Sequence, residues 1–265
     1  MPEPREIAVA LRRNAARRGT FGEPLHYYTE IGSTNDEAAR LADAGAGQGT
    51  AVVASAQTAG RGRLGRRWFS PPGAGLYVSV IVRDRGAAPL LTLAGGVAVA
   101  DAILAATGLP AQIKWPNDIV IDGGPGRRRK LAGILAEAST GPGGVHYVVL
   151  GLGINVQPAA YPDELADRAA SLEAELGRAV DPALLLAECL AALAERVGEL
   201  AAGNAQKILD RWADLSPSAH GSPVECESAA GPIAGATAGI AADGALLVRT
   251  GSRVEAVRSG QVRWL

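Results

Sequence analysis

The chain has 265 residues, of which 48% are hydrophobic and 20% are charged, and its formal net charge is −1. This length accommodates one large domain with a small second one and a substantial core, while the near-zero charge disfavours indiscriminate nucleic-acid binding. Two cysteines are too few for a disulfide framework, and the lack of a membrane-length apolar run or a secretory leader predicts a cytoplasmic protein without a membrane partner.

The first part of the chain predicts strands alternating with helices. A polar leader, residues 1–22, carries a helix near 5–18 and is too short for a helix-turn-helix domain with its own core. Thr34 and Glu37 stand at capping-box spacing at the start of the next helix. The predicted segments are strands at 26–31, 51–57 and 76–83, a helix at 35–44 and a buried apolar helix at 90–106.

The second part predicts a hairpin, a further strand, two helices and then a small β domain. The hairpin joins 113–121 to 130–139 through the Gly- and Pro-containing turn at 122–126. The predicted later elements are a strand at 145–156, helices at 182–202 and 205–215, and strands at 223–227, 232–240, 245–250 and 254–265. We therefore divide the chain into a leader (1–22), a body (23–216) and a C-terminal β domain (217–265).

Residues 60–68, Gly-Arg-Gly-Arg-Leu-Gly-Arg-Arg-Trp, are the most distinctive segment, and we call them the Gly/Arg loop. Glycines let a backbone approach a ligand closely, and arginines offer planar charged forks that suit phosphates and carboxylates. Trp68 adds a face for stacking on an aromatic ring. Taken alone, the loop is equally typical of a nucleotide clamp and of a solvated or RNA-binding basic loop.

A second segment, Lys114-Trp115-Pro116-Asn117-Asp118, precedes the hairpin turn, and Arg129-Lys130-Leu131-Ala132-Gly133-Ile134-Leu135 follows it. If the turn centres near 124–125, Lys130 lies opposite Val120. Asp118 then shares a sheet face with Lys130, at a diagonal spacing of about 7–8 Å. Such a pair suits the orientation of a charged substrate, or it is a surface ion pair of little energy. A slip of one residue would place the two on opposite faces.

Two further segments are ambiguous when read alone. Gly32-Ser33-Thr34-Asn35 either binds a polar ligand head or caps a helix. Gly151-Leu152-Gly153-Ile154-Asn155 either lets a ligand approach a strand, with Asn155 at a base edge, or marks a bulge. The sequence contains no evident Ser-His-Asp arrangement, phosphate loop or dinucleotide fingerprint.

Taken together and in this order, these segments resemble the biotin–protein ligases. The matching residues are Gly32 to Asn35, Gln57 to Arg63 with Gly65, Arg66 and Trp68, Lys114 to Asp118, Arg129 to Leu135 and Gly151 to Asn155. The resemblance covers about residues 24–215. It implies an α+β fold, in which a mixed, mostly antiparallel sheet is backed by helices as in class II aminoacyl-tRNA synthetases. It also implies a small SH3-like β-barrel at the C-terminus.

The same resemblance implies an activity. Biotin reacts with MgATP to give biotinyl-5′-AMP, and the biotin then passes to the ε-amine of a lysine on a biotin carboxyl carrier protein of acetyl-CoA carboxylase or a related enzyme. The resemblance also implies that Mg²⁺ arrives with ATP and is not held by a protein metal site. We further expect no DNA partner, and a monomer or weak homodimer.

The resemblance assigns roles to individual residues. The biotin site comprises Ser33, Thr34, Asn35, Gln57, Gly60, Arg61, Gly62, Arg63, Lys130 and Gly133. The ATP and adenylate site comprises Arg63, Arg66, Trp68, Lys114, Asn117 and Asn155. The catalytic set comprises Lys130 at the biotin carboxyl and α-phosphate, Arg63 in the covering loop, Lys114 at phosphate and Asp118 at the incoming lysine.

Some features depart from the family pattern or stay unassigned. Leu64 stands where many relatives have a basic or polar residue, Arg67 has no role, and the Arg127-Arg128-Arg129 turn is either a solvated tip or a carrier contact. A lipoate–protein ligase is the nearest alternative function. A non-enzymatic RNA- or phosphate-binding protein and a biotin-responsive DNA-binding repressor are more distant ones.

Overall fold

The computed structural model describes residues 4–122, 128–228, 231–260 and 262–265. Arg127, one of the three arginines of the predicted turn, lies outside the described residues. Within the described part, a seven-stranded mixed sheet forms the body and a five-stranded antiparallel sheet forms the C-terminal domain. The predicted α+β class is confirmed, and the predicted boundary at 216 lies between the last helix and the first strand of the second sheet.

The elements are numbered here in chain order. The helices are α1 (Pro4–Arg13), α2 (Ala15–Arg18), α3 (Thr34–Asp43), α4 (Leu91–Thr107), α5 (Asp163–Ala166), α6 (Leu172–Leu176), α7 (Pro182–Ala201) and α8 (Ala205–Leu215). The strands are β1 (Leu25–Tyr28), β2 (Ala51–Ala54), β3 (Gly75–Val82), β4 (Gln112–Lys114), β5 (Asp118–Asp122), β6 (Arg128–Gly141), β7 (Gly144–Asn155), β8 (His220–Ser228), β9 (Gly231–Ile240), β10 (Leu246–Thr250), β11 (Arg253–Val257) and β12 (Val262–Trp264).

The body sheet has the order β1-β2-β3-β7-β6-β5-β4. β1 and β2 run parallel, and the other neighbours run antiparallel. Helix α4 packs on one face of this sheet, and α7 packs against α4. Because α4 is buried between the sheet and α7, it is apolar on nearly every side. Its Gly95 allows close packing, since a Cβ there would lie 3.0 Å from Ile134 and from Leu150.

One helical segment, Ala88–Thr107, is long and apolar enough to cross a membrane by length and composition, but 72% of its most apolar window is buried inside the fold. The opposite face of the sheet packs against α3. Ala38 and Ala42 of this helix join a second core cluster with Val52, Ile81 and Val149. The sheet is therefore covered on both faces near α3, and the rest of that second face is available for a site.

Several predictions of local structure are wrong. The predicted strand 113–121 is two strands, β4 and β5, because Pro116 has no N–H to donate to the ladder. The predicted strand 254–265 is likewise divided into β11 and β12. The capping box is also wrong: Ser33 is the N-cap and accepts from the Asp36 N–H at 3.4 Å, whereas Glu37 pairs with Arg40.

The leader packs against the body. Its predicted helix is interrupted at Asn14, which separates α1 from α2. Ile7 and Leu11 are buried in the main core, and Arg17 forms ion pairs with Glu188 and Glu195 of α7. The N-terminal helices thus cover α7.

The two sheets meet at the turn between β4 and β5. The Trp115 indole, 3% exposed, donates to the Gly244 carbonyl of the C-terminal domain at 3.0 Å. The Lys114 ammonium lies 5.9 Å from the centre of the Trp264 ring. Two consecutive residues of this turn therefore connect the domains.

This joint predicts a loss of stability when the indole donor is removed. Trp115→Phe should lower the free energy of unfolding by roughly 1–3 kcal/mol more than a matched Trp→Phe change without a hydrogen bond, because the Gly244 carbonyl loses its partner. Trp212→Phe is that control, since the Trp212 indole N–H is buried and lacks a partner among the described residues. Urea denaturation measures both variants. Equal losses would contradict the role of this hydrogen bond.

Candidate active site

Three glycines form the floor of the site on the face of the sheet that α3 shares. Gly133 of β6 pairs with Gly153 of β7, and Gly151 of β7 pairs with Leu135. A Cβ at Gly153 would lie 2.6 Å from the Trp68 ring, and one at Gly151 would overlap the Asn35 side chain. The glycines therefore let Trp68 and Asn35 lie directly on the backbone of the sheet.

Lys130 and Asp118 form an ion pair beside this floor. The predicted register is confirmed, since Lys130 pairs with Val120, and a bulge in the β5–β6 ladder then places Asp118 opposite Gly133. The Lys130 Nζ lies 2.5 Å from Asp118 Oδ1 and 5.1 Å from the centre of the Trp68 ring. Both side chains are about one-third exposed (32% and 28%), so the pair is accessible to a substrate.

The backbone of Lys130 is fixed on both sides. Its N–H donates to the Arg168 carbonyl at 2.7 Å, and its carbonyl accepts from the Ala170 N–H at 2.9 Å. The same carbonyl accepts from the Asn155 amide at 3.2 Å, and that amide also donates to the Ala170 carbonyl at 3.0 Å. Asn155 thus supports Lys130, and its predicted contact with adenine stays a prediction. No sequence pattern pointed to the 168–170 segment.

A cluster of polar side chains lies at the N-terminus of α3. The Thr34 N–H and hydroxyl both donate to Gln57 Oε1, at 2.9 and 3.1 Å. The Gln57 side-chain NH₂ group donates to the Ser70 hydroxyl at 2.9 Å. Ser79 Oγ lies 2.5 Å from the Asn35 carbonyl oxygen and 2.8 Å from the Thr34 hydroxyl. The structure therefore brings together the predicted biotin-side residues of α3 and Gln57.

Ser79 was missed by the sequence reasoning. The available signal was a single serine within the otherwise apolar and aromatic strand Gly-Leu-Tyr-Val-Ser-Val-Ile-Val. A fully buried polar group requires a hydrogen-bond partner, so it points to a polar site on the same face.

The Gly/Arg loop and β6 together line a cavity of about 610 Å³. The β6 residues in this lining are Leu135, Ala136 and Glu137. The loop is closed by hydrogen bonds from the Gly62 N–H to the Arg66 carbonyl at 2.8 Å and from the Trp68 N–H to the Gly60 carbonyl at 2.9 Å. Leu64 at its tip is 63% exposed with φ 58°, a left-handed conformation that costs a non-glycine residue roughly 1–2 kcal/mol. An exposed leucine thus occupies the position where a basic contact was expected.

The cations around the site differ in their environments. Arg63 is half-buried, burial lowers its pKa, and its guanidinium lies 3.3 Å from Asn117 Oδ1. Arg61 pairs with Asp36 and Glu137, each at 2.5 Å. Arg66 and Arg67 are exposed on the rim, where Arg67 donates to the Thr58 carbonyl at 2.6 Å.

Lys114 lies near Asp118 at the end of the site that faces the C-terminal domain. Burial lowers the pKa of its ammonium, the Asp118 carboxylate opposes this shift, and the neighbouring cations, including Lys130, add to it. Lys114, Lys130 and Arg63 are thereby gathered around one carboxylate. Such an arrangement can neutralise an anionic ligand that lies along the glycine floor.

Comparisons with known proteins agree with this chemistry. Residues 30–155 match the biotin/lipoate A/B protein ligase family. The chain is 34% identical to the bifunctional ligase/repressor BirA of Bacillus subtilis over 98% of this chain and 80% of that protein. It is 35% identical to the biotin–[acetyl-CoA-carboxylase] ligase of Mycobacterium tuberculosis over 96% of this chain and 93% of that protein.

A solved structure is similar over nearly the whole chain. It is the biotin protein ligase from Aquifex aeolicus in complex with biotin and ATP, with a TM-score of 0.78 and 28% identity. The match covers 92% of this chain and 99% of that one. The similarity therefore extends through both sheets.

Because Lys114 is partly buried, we predict that its positive charge lowers the free energy of unfolding at neutral pH. A lysine whose pKa is lowered by folding binds fewer protons in the folded state, so the stability of the protein rises with pH from that lowered pKa up to about 10.4. Lys114→Met should therefore raise the urea midpoint at pH 7, and its advantage over the wild type should shrink as pH approaches 10. Lys207→Met, at an exposed position of α8, is the control. A Lys114→Met midpoint no higher than that of the control would contradict the assignment.

Proposed function

We propose that this protein activates biotin with ATP and transfers it to a lysine of a carrier protein. The chain belongs to the biotin protein ligases, within the biotin/lipoate A/B protein ligase family. The observation that carries the proposal is the Lys130–Asp118 pair, 2.5 Å apart beside a glycine floor, with Arg63 of the Gly/Arg loop close to Asp118. These are the elements that an adenylate-forming site for a small carboxylic acid requires.

The first half-reaction brings two anions together. The biotin carboxylate attacks the α-phosphate of ATP, a bond forms between carboxyl oxygen and phosphorus, and pyrophosphate leaves with the electrons of the broken bond. Lys130, Arg63 and Lys114 supply fixed positive charge that reduces the repulsion and stabilises the transition state. In this proposal the rigidly held backbone of Lys130 keeps its ammonium at the reacting groups.

We place Mg²⁺ on the phosphates of ATP. Among the residues that the structure describes, no group of three or more His, Cys, Asp or Glu side chains is arranged to hold a metal ion. The bound ion would supply further charge neutralisation on the phosphates.

The second half-reaction needs a neutral amine, and free lysine has a pKa of about 10.4. In this proposal Asp118, 28% exposed beside Lys130, orients the incoming carrier lysine and accepts its proton. The amine nitrogen then attacks the activated carbonyl and AMP leaves. The Gly/Arg loop limits access of water to the adenylate while it waits for the carrier.

The finer assignments follow the same proposal. The polar cluster at Thr34, Asn35 and Gln57 would contact the biotin head, and Trp68 and Asn155 would lie on the nucleotide side. The acceptor would be a biotin carboxyl carrier protein. The name of the Mycobacterium tuberculosis relative gives acetyl-CoA carboxylase as the protein on which that enzyme acts. We propose a cytoplasmic location and a monomer or weak homodimer.

Biotin-dependent exchange between ATP and pyrophosphate tests the reaction class and the role of Lys130 together. The wild-type protein should catalyse exchange with biotin and not with lipoate. Lys130→Ala should reduce exchange by roughly 10²–10³-fold, because it removes a fixed charge from the transition state.

Arg129→Ala is the matched control, since the neighbouring side chain pairs with Glu175 at 2.8 Å. It should retain exchange within a small factor. Wild-type exchange with lipoate alone would favour a lipoate ligase, and unchanged exchange in Lys130→Ala would remove Lys130 from the reaction.

A further inference from the structure

Glu137 is a carboxylate of the site that the proposed reaction does not use. It lies on β6, and it is the acidic residue among those described as lining the cavity under the Gly/Arg loop. Its side chain is 32% exposed. An acidic group is unexpected in a cavity that is proposed to receive an anion, so its presence requires a reason.

The two oxygens of Glu137 contact two different elements. Oε2 accepts from the Asn35 amide of α3 at 2.7 Å, and Oε1 accepts from the Arg61 guanidinium of the Gly/Arg loop at 2.5 Å. One carboxylate thus bridges the polar cluster and the loop. Arg61 pairs with this carboxylate, and Arg63, Arg66 and Arg67 also line the cavity, so basic side chains outnumber Glu137 there.

The contact with Asn35 determines which way that amide points. An acceptor at Glu137 requires the NH₂ group on its side, and the carbonyl oxygen of Asn35 then faces Ser79 at 2.5 Å. Because a Cβ at Gly151 would overlap Asn35, the amide lies directly against β7. The orientation of Asn35 is therefore set by groups on both sides.

Arg61 has a second carboxylate partner, and the two partners are not equivalent. The hydrogen bond that Arg61 donates to Asp36 raises the pKa of Arg61, burial lowers it, and the charges of Glu137 and Asp36 raise it further. Asp36 is 57% exposed and contacts the outer side of Arg61. Glu137, by contrast, connects Arg61 to the polar cluster.

We propose that Glu137 is a positioning residue for the activation of biotin. Its carboxylate orients the Asn35 amide in the pocket for the biotin head and anchors Arg61 of the covering loop, so that pocket and loop are held in one arrangement. This inference rests on the proposed function and adds a residue to it. Glu137 acts through Asn35 and Arg61 and not on the reacting atoms.

Two substitutions separate the two contacts. Glu137→Gln keeps an oxygen that accepts from Asn35 but presents an amide donor, which cannot accept from Arg61. Glu137→Ala removes both acceptors. Asp36→Asn weakens the outer contact of Arg61 without touching Asn35, and Glu225→Gln, which disrupts an exposed pair with Arg263, is the distant control.

The readouts are the KM for biotin, kcat, and release of adenylate, which is measured as biotinylation of a bystander protein relative to the carrier. Glu137→Ala should raise the biotin KM about tenfold with little change in kcat, because Asn35 loses its charged partner. Glu137→Gln should keep the biotin KM within about twofold of the wild type but raise adenylate release roughly threefold. Asp36→Asn should leave the biotin KM unchanged, and Glu225→Gln should change neither readout.

The outcomes distinguish this inference from the proposed function. A wild-type protein that forms no biotinyl-5′-AMP defeats the proposed function itself. An active wild type with an unchanged biotin KM in Glu137→Ala overturns the role of Glu137. So does a Glu137→Gln variant whose biotin KM rises as far as that of Glu137→Ala. Urea midpoints of all variants show whether a loss of activity reflects unfolding.

Discussion

The site is organised around one ion pair that a sheet holds at its surface. A lysine and an aspartate 2.5 Å apart would be a weak contact on a mobile surface, because solvent screens the charges and side-chain entropy opposes the pairing. Here a ladder with a bulge fixes both backbones, and Asn155 together with the 168–170 segment fixes that of Lys130. In the proposed reaction this pair supplies fixed charge where two anions meet, although the net charge of the protein is −1.

The body of the fold explains how such a site is tolerated. One face of the sheet is packed by α4 and α7 into a continuous apolar core, which supplies rigidity. The other face carries glycines at 133, 151 and 153, and Trp68 and Asn35 occupy the space that side chains would fill there. Leu64 in the Gly/Arg loop has a left-handed backbone conformation. The stability that the core supplies offsets the strain at this residue.

The sequence predicted the features that depend on local chemistry. Turn signals placed the β5–β6 hairpin correctly enough to put Lys130 opposite Val120, and the glycines of β7 indicated close approach. Prediction from the sequence failed where tertiary contacts determine which group a side chain bonds. Ser33 and not Thr34 caps α3, because the Thr34 hydroxyl bonds to Gln57. Glu137 and Ser79 lie in different strands, β6 and β3, and only the packed sheet shows that both contact Asn35.

The central claim is that this site makes and retains an acyl adenylate. Native mass spectrometry of the purified wild-type protein after incubation with biotin and MgATP, alongside a sample that contains lipoate instead, tests it most directly. We expect one biotinyl-5′-AMP bound per chain in the first sample and unmodified protein in the second. Unmodified protein in the biotin sample, or retained lipoyl-AMP in the other, would contradict the account.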